Sequence, residues 1–284
     1  MSNKNKIVIY HANCPDGFGS AWSFWKKYGD SIEYFPASHG EEPPDVSGKD
    51  VFIADFSYKR EILLKMNDQA KTLALIDHHV SAEKDIGDLD FCNFDMNHSG
   101  AYLSWSYLFG DKNIPPLILY IEDRDLWKWE LPNSEPILSA IDSYPKDFRV
   151  WDDLNNMLCL DHTSENADWG FERLRSEGQA ILRYKQILLD SLINNKFDAN
   201  IDGFNVPMIN APFFQSELAS ILSENERFAA AYYFNGNSYR VSLRSRDEGE
   251  DVSEIATKFG GGGHRCAAAF NINSIDCFVL KNGE

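Results

Sequence analysis

Short apolar runs, each ending abruptly in a charged or imidazole-bearing group, constrain this chain more than any other feature. Lys6 to Tyr10 runs into His11-Ala12-Asn13-Cys14-Pro15-Asp16-Gly17-Phe18-Gly19, and Val51-Phe52-Ile53-Ala54 runs into Asp55. Leu73 to Ile76 runs into Asp77-His78-His79, and Leu117 to Ile121 into Glu122-Asp123-Arg124-Asp125. Apolar runs this short read as strands buried on both faces of a sheet. Between them, Gly19 to Tyr28, Tyr58 to Ala70 and Gly100 to Phe109 carry helical patterning. The alternation predicts an α/β domain with a parallel sheet and helices on both faces. Residues just past the carboxyl ends of such strands line the functional crevice. All four acidic or histidine clusters are therefore expected on one edge of the sheet.

The second half reads differently. Glu165 to Asn195 has no proline, and Ile181, Leu182, Ile187, Leu188, Leu192 and Ile193 recur at helical spacing, which predicts a connecting helix. Beyond it, Ala199 to Ile209, Ala229 to Phe234 and Tyr239 to Leu243 read as strands. Asn235-Gly236-Asn237 is a hairpin signal between the last two. Ser216 to Ser223 and Val252 to Phe259 read as helices. The expected organisation is a metal-binding domain over 1–165, a helical linker over 166–197 and a smaller α/β substrate-binding domain over 198–284.

Charge excludes some partners. Lys and Arg number 27 against 44 Asp and Glu, a net charge of −17. Long duplex DNA is held mainly by cationic surface, so it is a poor partner for this chain. A small anionic substrate remains compatible if metal ions or local arginines reverse the field at the site. No segment approaches the roughly 20 apolar residues of a membrane span. The apolar stretch after Lys6 is too short for a signal-peptide core, and the expected location is the cytoplasm. The five cysteines, Cys14, Cys92, Cys159, Cys266 and Cys277, show no C-x-x-C spacing. Reduced thiols fit better than a zinc ribbon or a disulfide framework, and Cys14 is expected to be inert.

Carboxylates converging from four loops repel one another unless cations neutralise them. Two divalent ions bridged by an aspartate do so. Mixed oxygen and imidazole donors suit Mn2+, with Mg2+, Fe2+ or Co2+ as alternatives. Such a pair activates water and clamps a phosphoryl group. Each cluster also has a plainer reading. An Asp after a strand caps a helix, adjacent histidines pack on a surface, and Gly17 and Gly19 make a turn. Their joint placement at apolar-run ends favours the chemical reading.

Other candidates lie outside these clusters. Gly260-Gly261-Gly262-Gly263-His264-Arg265 exposes backbone N–H groups in a nest suited to an anion, with Ala267 to Ala269 allowing close packing. Arg244 suits a bidentate grip on phosphate or carboxylate. Ser99 precedes a helix and is either its cap or a phosphate contact beside free helix N–H groups. Trp127 and Trp129 read as core or wall residues.

Asp77-His78-His79 together with Gly260 to His264 resembles the DHH–DHHA1 phosphoesterases. His11 to Phe18 is similar to a branch whose first motif has the form H-x-x-C-P-D-G-F. Asp55-Phe56-Ser57 and Arg124-Asp125-Leu126-Trp127 resemble further motifs of that branch, in the right order along almost the whole chain. The superfamily includes RecJ-type exonucleases, nanoRNases, cyclic-dinucleotide phosphodiesterases and related phosphatases. The resemblance implies a hydrolase with two metals, usually Mn2+, and an active site between its two domains. Carried over, His11, Asp16 and Asp55 hold one ion, and Asp55, His78 and Asp125 hold the other. Asp125 is preferred to Asp123 because it directly precedes Leu126-Trp127. Asp77 orients the loop and His79 contacts the scissile phosphate. Gly261, Gly262, Gly263 and His264 bind the far end of the substrate, with help from Arg244 and Ser99.

The expected activity is hydrolysis of short oligonucleotides to mononucleotides. A nucleotide phosphomonoesterase of the 3′-phosphoadenosine 5′-phosphate type and a cyclic-dinucleotide phosphodiesterase are the alternatives within the same chemistry. The first motif holds one carboxylate, Asp16, where many relatives hold two, which motivates a further alternative, a non-catalytic nucleotide-binding module. A homodimer is left open.

Overall fold

The computed structural model describes residues 4–12, 14–159 and 167–278. Asn13 of the first cluster and residues 165 and 166, at the start of the expected long helix, lie outside the described residues. The chain divides into two compact units, Met1–Leu182 and Arg183–Glu284.

Five strands build the sheet of the first unit: β1 (Lys6–His11), β2 (Glu33–Ala37), β3 (Asp50–Ala54), β4 (Thr72–Asp77) and β5 (Cys92–Phe94). All neighbours pair in parallel, in the order β2-β1-β3-β4-β5. Side-chain alternation assigns the two faces. Ile7, Ile9, Val51, Ile53 and Leu75 pack on one side with Leu63 and Met66 of α2 (Arg60–Gln69). Val8, Ala54 and Ile76 pack on the other with Phe24 of α1 (Pro15–Tyr28) and Leu108 of α4 (Gly100–Phe109). The helix α3 (Val80–Ile86) adds Ala82 and Ile86 to the first face. Burial on both faces is why these strands read as continuous apolar runs.

The strand order reverses at β1, whose neighbours are β2 on one side and β3 on the other. Connections leaving a parallel sheet in opposite directions open a crevice at the carboxyl ends of the two strands where the order reverses. His11 ends β1 and Asp55 follows β3, so that crevice lies between them.

Two strands escape the sequence pattern. Glu33–Ala37 is an edge strand of mixed polarity containing Pro36, and Cys92–Phe94 is a three-residue edge. One apolar run is corrected outright. Pro116 to Glu122 is not a strand but the start of α5 (Pro116–Asp125). Pro116 sits at the first helical position, where a missing N–H is harmless. Leu117, Ile118 and Ile121 are buried while Leu119 is exposed, a helical spacing. They pack among Phe18 and Trp22 of α1, Ile137, Leu138 and Ile141 of α6 (Ser134–Asp142), and Trp151 and Leu154 of α7 (Phe148–Leu158). A short apolar run fits a buried strand or a buried helix equally well, and here the helical neighbours decide.

The long helix α8 (Ala167–Ile193) carries the division between the units. The second unit holds β6 (Phe197–Ile201), β7 (Phe204–Asn210), α9 (Gln215–Leu222), β8 (Ala229–Phe234), β9 (Tyr239–Arg244), α10 (Val252–Lys258), β10 (Gly262–His264) and β11 (Ala267–Ile272). Its sheet runs β10-β11-β9-β8-β7-β6. Only β7 and β8 pair in parallel. The single strand expected over Ala199 to Ile209 is a hairpin, β6 and β7, turning at Asp202 (φ 53°) and Gly203 (φ 87°). Two successive positive φ values make the tight turn that Asp-Gly favours. Among the described residues, no helix is long and apolar enough to cross a membrane.

Candidate metal centre

The crevice at β1 and β3 gathers the acidic and histidine residues of the first unit. Its floor is Asp55, which is 1% exposed. Asp55 has φ 52°, in the left-handed region, and its N–H donates to the Ile76 carbonyl of β4 at 2.9 Å. Holding a non-glycine residue there costs about 1 kcal/mol, less for Asp than for bulkier residues. Neither oxygen of its carboxylate has a hydrogen-bond partner among the described residues. His11 Nδ1 stands 3.7 Å from Asp55 Oδ2, and His78 Nε2 stands 3.3 Å from Oδ1. Burial pushes the Asp55 carboxyl up, but His11 and His78 outweigh it and leave the group lowered.

His78 is the second focus. Its Nε2 also lies 3.6 Å from Asp16 Oδ2 and 3.5 Å from Asp125 Oδ2. Carboxylates from three separate elements thus face one imidazole nitrogen. Asp16 is fixed by the start of α4, whose Gly100 and Ala101 N–H groups donate to its two oxygens at 2.7 and 2.9 Å. Burial, then the Asp55 and Asp125 charges, push its carboxyl well up. Asp125 closes α5, and burial raises its carboxyl too. Asp123 faces elsewhere, accepting the Glu130 and Leu131 N–H groups at 2.8 and 3.3 Å.

Asp77 ends β4 and is fully buried. Its Oδ1 accepts the N–H groups of His78 (2.7 Å) and His79 (3.3 Å) and meets His79 Nδ1 at 2.6 Å. That contact pushes the His79 imidazole up to about 9. Two glycines let the pieces meet. A Cβ at Gly100 falls 2.4 Å from Asp55 Cβ and 2.9 Å from Asp16 Oδ2. A Cβ at Gly17 falls 2.3 Å from the His11 carbonyl.

The donor atoms fall into three groups, each within 4.8 Å internally: Asp55, Asp77, His78 and His79; Asp16, His78 and Asp125; and His11, Cys14 and Asp55. A buried Asp55 carboxylate without hydrogen-bond donors among the described residues, interleaved with imidazoles and further carboxylates, makes the donor set of a hard-to-borderline divalent cation. The residues fit a two-ion centre, with Asp55 and His78 shared between groups.

Several expectations change. The fourth cluster comes from a helix end rather than a strand end. Ser99 is buried, its Oγ accepts the Tyr102 N–H at 3.3 Å, and the amides behind it serve Asp16 rather than a phosphate. Trp129 packs against the helical core, but Trp127 is 77% exposed. Two further residues lie nearby. Cys14, expected to be inert, joins the His11 group, and His39 is not singled out by the sequence. His39 follows the unrecognised β2 and stacks on Phe56 with its ring 5.7 Å from His11.

In the second unit the expected open glycine nest is also corrected. Gly260 and Gly261 donate their N–H groups to the Thr257 and Ala256 carbonyls, and Gly262–His264 is the edge strand β10. Gly261 and Gly263 are required for close backbone approach: a Cβ on either falls 2.2 Å from Ala269 O or 2.4 Å from Ala267 O. Ala267 pairs with His264 on one side and Arg244 on the other. Directly opposed residues share a face, so His264 and Arg244 project from the same side of the sheet, roughly 10 Å apart. Arg244 donates to Ser216 Oγ at 2.6 Å and to the Leu243 carbonyl at 2.8 Å.

An uncharacterized protein of Acanthamoeba polyphaga mimivirus is 30% identical over 298 residues, an alignment covering 96% of this chain and 69% of the viral protein. The chain belongs to that protein's family. The DHHA1 domain model matches residues 215–279, so α9 to β11 of the second unit lie in a DHHA1 domain. Solved structures agree on the fold. An exonuclease RecJ bound to manganese matches with TM-score 0.55 at 15% identity, covering 96% of this chain and 87% of its own. RecJ from Thermus thermophilus, in complex with Mn2+, gives 0.55 at 12%, covering 95% and 50%. A pGpG-specific phosphodiesterase from Vibrio cholerae gives 0.50 at 14%, covering 95% and 94%. The fold is that of the DHH–DHHA1 proteins, and Arg244 and His264 lie within the DHHA1 match.

Proposed function

We propose that the chain is a metal-dependent phosphodiesterase that hydrolyses short oligonucleotides to mononucleotides. The Asp55 carboxylate carries this reading: it is buried, has no hydrogen-bond partner among the described residues, and is faced by imidazoles and further carboxylates. Such a group stays ionised in the interior only when cations balance it. In this reading His11, Asp16, Asp55, His78 and Asp125 hold two divalent ions. Divalent ions at such a centre supply Lewis-acid activation of water and neutralise phosphoryl oxygens. Solved RecJ structures with this fold carry manganese, which supports Mn2+ as the ion.

The chain's own residues divide the remaining work. Asp77 holds the His78-His79 loop through its Oδ1. It keeps His79 protonated at neutral pH, so that Nε2 donates to a non-bridging oxygen of the scissile phosphate. Arg244 and His264, on one face of the DHHA1 sheet, are the donors for another phosphate of the substrate. A net charge of −17 disfavours long nucleic acid, and a phosphodiesterase of pGpG shares the fold; both support a short substrate.

Product analysis tests the reading. Purified chain with Mn2+ receives, in parallel, a 5′-phosphorylated RNA dinucleotide, a long single strand, a cyclic dinucleotide and 3′-phosphoadenosine 5′-phosphate. Fast release of mononucleotides from the linear dinucleotide alone is expected. Inorganic phosphate from the monoester alone identifies a phosphatase instead. Binding without turnover of any of them identifies a nucleotide-binding module.

A further inference from the structure

We propose that the Cys14 thiolate is a direct metal ligand, completing with His11 and Asp55 one of the two ion sites and biasing it toward a softer ion than Mn2+ or Mg2+. The inference rests on the metal-centre reading above and deepens it. The donor atoms of His11, Cys14 and Asp55 lie within 4.8 Å of one another. Asp55 contributes a carboxylate that is 1% exposed and has no hydrogen-bond partner among the described residues. Without Cys14, this group has only two donors.

No other side chain at the start of α1 fills the place. The Asp16 carboxylate is turned to the Gly100 and Ala101 amides and groups with His78 and Asp125. Phe18 is turned into the core, stacked on Phe148 at 5.0 Å and edge-on to Trp151 at 4.7 Å.

Local structure aims the sulfur at this site. Cys14 is the N-cap of the 14-residue helix α1, in extended backbone (φ −99°, ψ 137°). Its side chain makes no capping hydrogen bond, so the position most often given to Ser, Thr, Asp or Asn is not used as a cap. The positive end of the helix favours negative charge on the sulfur. Gly17 keeps the first turn of α1 against the His11 carbonyl, which fixes Cys14 beside His11.

The chemistry separates the two halves of the centre. Thiolate with imidazole and carboxylate selects Zn2+, Fe2+ or Co2+ over Mg2+. Asp16, His78 and Asp125 offer oxygen and nitrogen alone, which suits Mn2+. On binding, the thiol releases its proton to solvent and the sulfur lone pair forms the bond to the ion; no electron transfer is involved.

Anaerobic titration of the metal-free full chain with Co2+ tests the proposal, because thiolate ligation gives a near-ultraviolet sulfur-to-cobalt charge-transfer band. The band is expected in the native chain and in Cys159→Ser, an exposed thiol outside the three donor groups. It disappears in Cys14→Ser and in Cys14→Asp. The serine variant loses about tenfold or more in affinity at this site. The aspartate variant retains binding without the band, which separates a lost ligand from a lost fold. A native chain that binds Co2+ with no band, or a band that persists in Cys14→Ser, overturns the proposal. The readout needs no turnover. A band without hydrolysis leaves Cys14 a ligand and removes the enzyme reading, whereas hydrolysis without a band does the reverse.

Discussion

The two units handle polar groups in opposite ways. The N-terminal unit buries Asp16, Asp55 and Asp77 at 1%, 1% and 0% exposure, and among the described residues oxygens of Asp55 and Asp77 have no donors. The DHHA1 unit keeps its candidate groups satisfied or in solvent: Arg244 donates to Ser216 and Leu243, and β10 is exposed along its length. In the metal-free chain protonated imidazoles balance these carboxylates, and a divalent ion can take their place. The second unit, whose Arg244 already has partners, has no such requirement. The difference fits the proposed division, with metal chemistry in the first unit and substrate recognition in the second.

The largest expected effect breaks the first side of that comparison. Asp55→Asn keeps a residue type that tolerates positive φ but removes the charge. It should lower kcat/KM on the preferred phosphodiester more than about 10³-fold, the size of losing a charge-stabilising group. A fall of less than tenfold contradicts the role given to Asp55. Next comes Gly100→Ala, whose Cβ collides with Asp55 and Asp16. Thermal and denaturant unfolding should show about 1–3 kcal/mol of destabilisation, the usual size for overpacking, together with weaker ion binding.

Protonation gives a smaller, graded test. Asp55 and then Cys14 hold the His11 imidazole up to about 10. An ion must displace that proton, so affinity should rise with pH by up to about tenfold per unit below 10. Calorimetry in buffers of different ionisation enthalpy should show the released protons. For the metal-free chain the linkage has the opposite sense. His79 is raised to about 9 in the folded state, above its ordinary 6.5. Its stabilising contribution is complete below about 6.5 and is lost as pH rises through 9. The melting temperature with chelator present should therefore fall over that window. The smallest effect belongs to an exposed glycine of β10. Gly262→Ala places its Cβ in open space and should change stability by less than about 0.5 kcal/mol. Gly261→Ala meets Ala269 O and should loosen the β10 edge.

Much of this was legible because a parallel sheet puts chemistry at sequence positions that apolar runs mark. His11, Asp55 and Asp77 announce themselves as the first charged or imidazole-bearing groups after the apolar runs of β1, β3 and β4. The alternation of strand and helix gave the fold class for the same reason. What the pattern hides is anything set by packing partners. Pro116 to Glu122 looks like a strand until its helical neighbours are known. Pro36 and short length mask the edge strands β2 and β5, and with β2 the approach of His39. Ser99 could be read as a phosphate contact because no local signal shows that Asp16, 84 residues away, takes the Gly100 amide. Nor does any local signal show that Cys14 comes near Asp55, which follows β3.

Counting ions on the purified full chain, by element-resolved mass spectrometry after equilibration with Mn2+ and removal of free metal, tests the central claim most directly. The account predicts two bound ions per chain, and none or one in Asp55→Asn. A correctly folded native chain that retains no divalent ion, or an Asp55→Asn variant that retains both, contradicts it.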